Sequence, residues 1–511
     1  MPTFNENFGF RESPFDQYVA EREPRIDEYA VKPPYFEETR RRVASNSSYL
    51  LFGFRGSGKS ATRITAEKEI WKLLSEGKAA PLMVSLTDYD AILKNKKVDD
   101  VTFDDIIKRV AFLTVEAILL WISNQEEKER ILEILEPAEL RNLTVLSKAY
   151  YLNEPEADRL ISQQEAMRIL HQNWSNRTLD WINRKWGSIS SLVGVLTSAL
   201  AKSKFDTPDI SKEVSKLLQR DQSGQSSKAI ISRLVDAAKC FGFTGICVLV
   251  DKVDEHPKTQ RSTEETAKLI HPIVSQVQLM EIADFAWIFF LWDKVKTHLS
   301  NEKLFARLDK FAHSEVSWPK EFLEAMIKNR LSYFSDRKIA EISEMCEPNI
   351  DSTQHLNNMI ALVQNSPREL VRLLDVVTRE FNSNYGHLKE PQKLVDADFD
   401  AGQDIYVRDV LWTIYENRIL SQLLRFNTSP FTNRDVQQAF KISSPGARGR
   451  IQSWEACGAV SLTGTRAPEG ESGGKPASEY SITDPRILRM AERKLYDPEK
   501  LTEAPIEEED G

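Results

Sequence analysis

The chain has 511 residues, 41% of them hydrophobic, with 24 Phe, 10 Trp and a formal net charge of −9. This length implies two or three domains, and the apolar and aromatic content implies packed cores rather than disorder. An acidic balance supplies no global field to draw the chain to nucleic acid, so any DNA contact has to be local. No stretch approaches the roughly 18 to 20 apolar residues that cross a bilayer; the nearest, Ile189 to Ala201, is short and broken by Ser, Gly and Thr. The start, MPTFNENFGFRESPF, lacks the basic and apolar runs of a secretory signal. Cys240, Cys247, Cys346 and Cys457 stand far apart, without a Cys-x-x-Cys pair or His at metal spacing, which fits a reducing compartment. A cytoplasmic protein with no membrane partner is expected.

In chain order, residues 1–48 form a proline-bearing N-terminal segment ending in Arg40-Arg41-Arg42, which reads as a basic helix face. Within it, Lys32-Pro33-Pro34-Tyr35-Phe36 is placed to wall an adenine pocket. Tyr49 to Phe52 reads as a buried strand, and Ala61 to Leu74 as a helix with Ile64, Ile70, Trp71 and Leu74 at helical spacing. A second strand is expected at Pro81 to Leu86. Residues 99–238 are helical and charged, with Trp121, Trp174, Trp181 and Trp186 on apolar stripes. They read as a helical insertion whose aromatics are core, and as a surface for a partner or for homo-oligomer formation. Strands follow at Gly245 to Val250 and Phe285 to Trp292, with an edge strand at Ser314 to Trp318. Buried strands alternating with helices predict an α/β core with a parallel sheet, spanning 49–319.

Residues 320–404 are expected to form a helical lid. In 405–496, a helical run (Asp409 to Phe426), two short helices (Asn433 to Phe440, Gly446 to Cys457) and a hairpin (Ala459 to Leu462, Glu479 to Ile482) predict a winged helix. Residues 497–511 form an acidic tail.

The stretch Gly53 to Ser60, GFRGSGKS, narrows function most. Gly53, Gly56 and Gly58 let the backbone turn successive N–H groups around phosphate oxygens. Arg55, Ser57 and Ala61 contribute neighbouring amides, Lys59 reaches the β- and γ-phosphates, and the Ser60 hydroxyl can ligand Mg²⁺. ATP and Mg²⁺ are the cofactors this predicts. Such a site also needs a carboxylate at a strand end for the Mg²⁺ shell and a base to orient water. ICVLVDKVDE, residues 246–255, supplies both. Asp251 closes the strand, and Asp254 or Glu255 can polarise water.

GFRGSGKS with VLVDKVDE resembles the signal-transduction (NACHT-like) and origin-recognition-like branch of P-loop ATPases. That resemblance implies a helical lid, often a C-terminal winged helix, and three further residues. Arg307, in Ala306-Arg307-Leu308-Asp309-Lys310-Phe311, falls in the arginine-bearing segment after the fourth strand. Arg368, in Ser366-Pro367-Arg368-Glu369-Leu370, matches a lid arginine that reaches the γ-phosphate. Asp293 falls at a polar γ-phosphate sensor. Many relatives place a catalytic Glu directly after the Mg²⁺-associated Asp, where this chain has Lys252; that departure favours a slow nucleotide switch over a motor.

The reading is an ATPase that switches a separate protein effector, and the resemblance extends to bacterial ATPases associated with phage defence. Two alternatives stand beside it: a DNA-binding ATPase that loads or remodels complexes through its winged helix, and a scaffold that binds ATP without turnover. From Phe431 to Glu479 six basic residues (Arg434, Lys441, Arg448, Arg450, Arg466, Lys475) face five acidic ones, a weak footprint for a DNA reader.

Overall fold

A computed structural model of the chain describes residues 3–23, 25–125, 128–156, 158, 159, 162, 194, 207–218, 225–260, 262–467 and 476–497. The chain divides into two compact units, Val19–Trp318 and a second made of Met1–Tyr18 with Pro319–Gly511.

In the first unit, β1 (Tyr49–Gly53), β2 (Leu82–Leu86), β3 (Ile246–Val250), β4 (Phe285–Trp292) and β5 (His313–Glu315) form one sheet in the order β2-β3-β4-β1-β5. All pairings are parallel. The strands are apolar almost throughout because both faces are covered. Alternate residues feed two cores: Leu50, Phe52, Val248, Val250, Trp287 and Phe289 on one face, and Tyr49, Leu51, Cys247, Leu249, Ile288 and Phe290 on the other. This is the expected α/β core. Its edge strand is shorter than the sequence suggests. After Glu315 only the Val316 N–H still donates to Phe52 O, at 2.7 Å, and Ser317 and Trp318 leave the sheet.

The helical insertion is present. Helix Phe103–Asn124 buries Val110, Ala111, Val115, Ile118, Leu119 and Ile122 completely, and helix Gln225–Lys239 packs with it. Trp121 meets Phe241 and Phe243 in that core; Trp174, Trp181, Trp186 and, apart from Gly194, Ile189 to Ala201 lie outside the described residues. Tyr35 and Phe36, read as an adenine wall, are instead buried in the second core. Arg40, Arg41 and Arg42 pair with Glu37 and Glu38 along one helix. No helix among the described residues is long and apolar enough to cross a membrane.

In the second unit, Phe4, Phe8 and Phe10 form an aromatic cluster with Phe381 of helix Pro367–Tyr385. The expected run Asp409 to Phe426 is two helices, Asp396–Ile414 and Asn417–Phe426. They part at Tyr415, whose extended backbone lets its hydroxyl donate to the buried Asp484 at 2.8 Å. Next come β6 (Phe431–Thr432), helices Asn433–Phe440 and Ser444–Ala456, β7 (Val460–Arg466) and β8 (Ala477–Ile482), with an antiparallel sheet ordered β6-β8-β7. This is the winged helix, built around Phe426, Phe431, Phe440 and Trp454. Lys475 and residues 498–511 of the acidic tail lie outside the described residues.

Candidate functional site

The loop from Gly53 to Ser60 leaves the carboxyl end of β1 and opens helix Lys59–Ser75. Gly56 and Gly58 both have positive φ, +86° and +84°, which side chains disfavour. Gly53 is fixed by space instead: a Cβ there would lie 2.5 Å from Ser57 Oγ and 2.9 Å from Val316 Cγ2. Gly58 caps the helix with no side-chain hydrogen bond, and the first turn holds no acidic residue. The helix dipole at this end favours an anion.

Lys59 turns inward, its Nζ donating to Gly53 O at 2.7 Å and Phe54 O at 2.9 Å. Ser57 is fully buried, and its Oγ has no hydrogen-bond partner among the described residues. Ser60 and Ala61 follow in the first helical turn, half-buried. An ammonium held by the Gly53 and Phe54 carbonyls, at a helix start with no side-chain cap, fits a phosphate chain.

Three strand ends converge here. Asp293, just past β4, donates its N–H to Gly53 O at 3.2 Å. Asp254 is taken by the loop itself: Arg55 Nε donates to its carboxylate at 2.8 Å, and Arg55 Nη2 to its carbonyl at 3.0 Å. The Arg55 guanidinium also lies 4.2 Å from the Trp292 ring centroid. Its side chain therefore ties the phosphate loop to the acidic turn. Glu255, in the same turn, reaches the surface. Desolvation raises its carboxyl pKa above the ordinary 4.5; Lys252 opposes that, while Asp251, Glu21 and Asp254 add to it.

Asp251 ends β3 and is 2% exposed. One carboxylate oxygen accepts from Arg63 Nε at 3.0 Å and the other from Lys252 N at 2.9 Å. Lys252 has a φ of +59°, a strain on the order of 1 kcal/mol that such sites tolerate. Arg63, one turn into the loop helix and 2% exposed, also pairs with Glu67 at 3.4 Å and Glu21 at 3.1 Å. Glu21 reaches Lys252 Nζ at 2.9 Å as well. Burial works against its ionisation, but Arg63 and Lys252 outweigh this and lower its pKa. Glu67 goes the other way: burial raises its pKa against the pull of Arg63.

Two lone-pair positions on Asp251 are thus used and others stay open. The Ser60 hydroxyl makes no hydrogen bond among the described residues. The Asp251 carboxylate and the Ser60 hydroxyl are oxygen donors of the kind that fits Mg²⁺, with Arg63 tempering the carboxylate's charge.

The two remaining expected residues are Arg307 and Arg368. Arg307 is exposed and donates to Asp309 at 2.9 and 2.8 Å. Arg368 belongs to the other unit, as the exposed second residue of helix Pro367–Tyr385, with the Ser366 hydroxyl as N-cap. Sequence reasoning missed Glu21, Arg63, Glu67 and Trp318. Arg63 and Glu67 carried a signal, an i,i+4 pair just past the loop; Glu21 and Trp318 carried none.

No family model matches the chain, and no curated protein does. Among solved structures it is similar to the Aeropyrum pernix ORC1 protein in complex with DNA, with a TM-score of 0.34 and 14% identity over 95% of this chain and 97% of that one. It is also similar to the Aeropyrum pernix ORC2 protein in ADPNP–ADP complexes, with a TM-score of 0.41 and 9% identity over 93% of this chain and 98% of that one. Likenesses this loose bear on neither activity nor partner.

Proposed function

We propose that the chain is a slow, Mg²⁺-dependent ATPase that works as a nucleotide-controlled switch on a separate protein. The observation that carries this reading is Lys59, turned inward on the Gly53 and Phe54 carbonyls at the start of an uncapped helix. Gly56, Gly58 and the first helical N–H groups grip the phosphates, and Lys59 exchanges its loop carbonyls for phosphate oxygens. Ser60 and Asp251 are the residues that would hold Mg²⁺, which when bound neutralises charge on the phosphate oxygens. Glu255 is the better placed base. Asp254 is committed to Arg55, whereas the raised pKa of Glu255 brings it closer to neutral pH, where a general base works best. Slow turnover follows from Lys252, whose cation lies beside the base and is held by Glu21.

Calorimetry on Lys59→Ala tests the site. Losing the point charge lowers ATP affinity by at least about tenfold, or 1.4 kcal/mol; unchanged affinity in a folded variant removes the assignment.

The DNA-loading alternative draws on Arg448, exposed on helix Ser444–Ala456 of the winged helix. Arg466 does not add to it, being paired with Asp435 at 3.3 Å and Glu479 at 2.7 Å.

A further inference from the structure

A loop rich in glycine has little conformational preference of its own, so the orientation of its peptides has to be imposed from outside. A trans peptide unit sends its C=O and N–H in opposite directions. Whatever grips the Ser57 carbonyl therefore also aims the Gly58 N–H the other way. That grip is the indole of Trp318, whose Nε1 donates to Ser57 O at 2.8 Å. The ring is itself seated, half-buried, with its edge against Tyr35 at a centroid separation of 6.4 Å.

Val316, two residues before it, supports the same loop. Val316 N–H donates to Phe52 O at 2.7 Å, and the Val316 side chain occupies the space beside Gly53. The stretch from Val316 to Trp318, just beyond β5, thus braces the loop from behind at both Gly53 and Ser57. None of these residues belongs to the loop motif or to the acidic turn.

We propose that Trp318 is a positioning residue for phosphate binding: by holding the Ser57 carbonyl outward it presents the Gly58 N–H to the phosphates of a nucleotide. Trp318 acts through the loop peptide and not on the nucleotide. The proposal rests on the reading that this loop binds nucleotide. ATP and ADP share the phosphates nearest the loop backbone, so both should depend on Trp318 alike.

The test measures ATP and ADP affinity by calorimetry for the full chain as wild type, Lys59→Ala and Trp318→Phe, with melting temperatures taken without nucleotide. Phenylalanine keeps an apolar ring and lacks the donor. Trp318→Phe should bind both nucleotides about three- to tenfold more weakly, the worth of one hydrogen bond, while melting within a few degrees of wild type. If Trp318→Phe does not fold, benzothienylalanine at the same position keeps the bicyclic shape without the N–H and should show the same loss. A folded variant of either kind that binds ATP and ADP as wild type does overturns the inference, whatever its melting temperature. Wild type that binds neither nucleotide overturns the functional reading itself, a distinct outcome.

Discussion

Arginines do different work at the phosphate loop and in the winged helix. Arg63 is 2% exposed and holds three carboxylates, from a loop-helix neighbour (Glu67), a strand end (Asp251) and the N-terminal segment (Glu21). Arg466 in the wing also has two carboxylates, but its side chain is 37% exposed, and Arg448 meets solvent. A buried charge has to be matched by fixed partners, so the first cluster specifies one geometry. The second is screened by water and constrains little. The difference suggests where this chain invests in order: around the carboxylate at the end of β3, and far less on the face a DNA reader would use.

That contrast predicts a large asymmetry in stability. Arg63→Ala leaves buried carboxylates without their cation and should cost about 3–5 kcal/mol in denaturant unfolding. Arg466→Ala should cost about 1 kcal/mol or less. Similar values for the two would break the comparison.

The pH dependence of hydrolysis sharpens it. Desolvation raises the Glu255 pKa above 4.5, with Lys252 opposing. A base has to be ionised, so hydrolysis should fall as pH drops through a value above that ordinary one, and Glu255→Gln should lack this limb. The sign for folding is opposite: the folded state holds that proton more tightly, so the group's stabilisation is full at low pH and is lost as pH rises through the folded pKa. A limb at or below the ordinary glutamate value would contradict the geometry around Glu255.

The smallest effect belongs to the wing. Duplex DNA should bind only in the micromolar range or more weakly at physiological salt. Arg448→Ala with Arg450→Ala should flatten the salt slope by at most about two units and leave ATP hydrolysis intact. Nanomolar, ATP-dependent duplex binding abolished by that pair would favour the DNA-loading alternative.

Much of the fold was legible because its signals are local. Apolar runs such as ICVLV and FAWIFFLW mark strands covered on both faces, and glycines with Lys59 mark the loop within a few residues of chain. The charge network was not legible. Arg63 and Glu67 lie four residues apart on a helix, and nothing local says that Arg63 meets Asp251, 188 residues away. Trp318 read as the end of an edge strand, because nothing in Ser317-Trp318-Pro319 says that the indole reaches back to Ser57. The helical run expected from Asp409 to Phe426 is interrupted at Tyr415, whose hydroxyl donates to Asp484, far along the chain.

The most direct test of the central claim measures ATP binding and phosphate release together, in the same preparations of wild type and Glu255→Gln. Wild type should bind ATP and release phosphate slowly, only with Mg²⁺ present, while Glu255→Gln should bind ATP equally well and release phosphate roughly 10²-fold more slowly. Wild type that binds ATP tightly and releases no phosphate with Mg²⁺ present would contradict the account and leave an ATP-stabilised scaffold in its place.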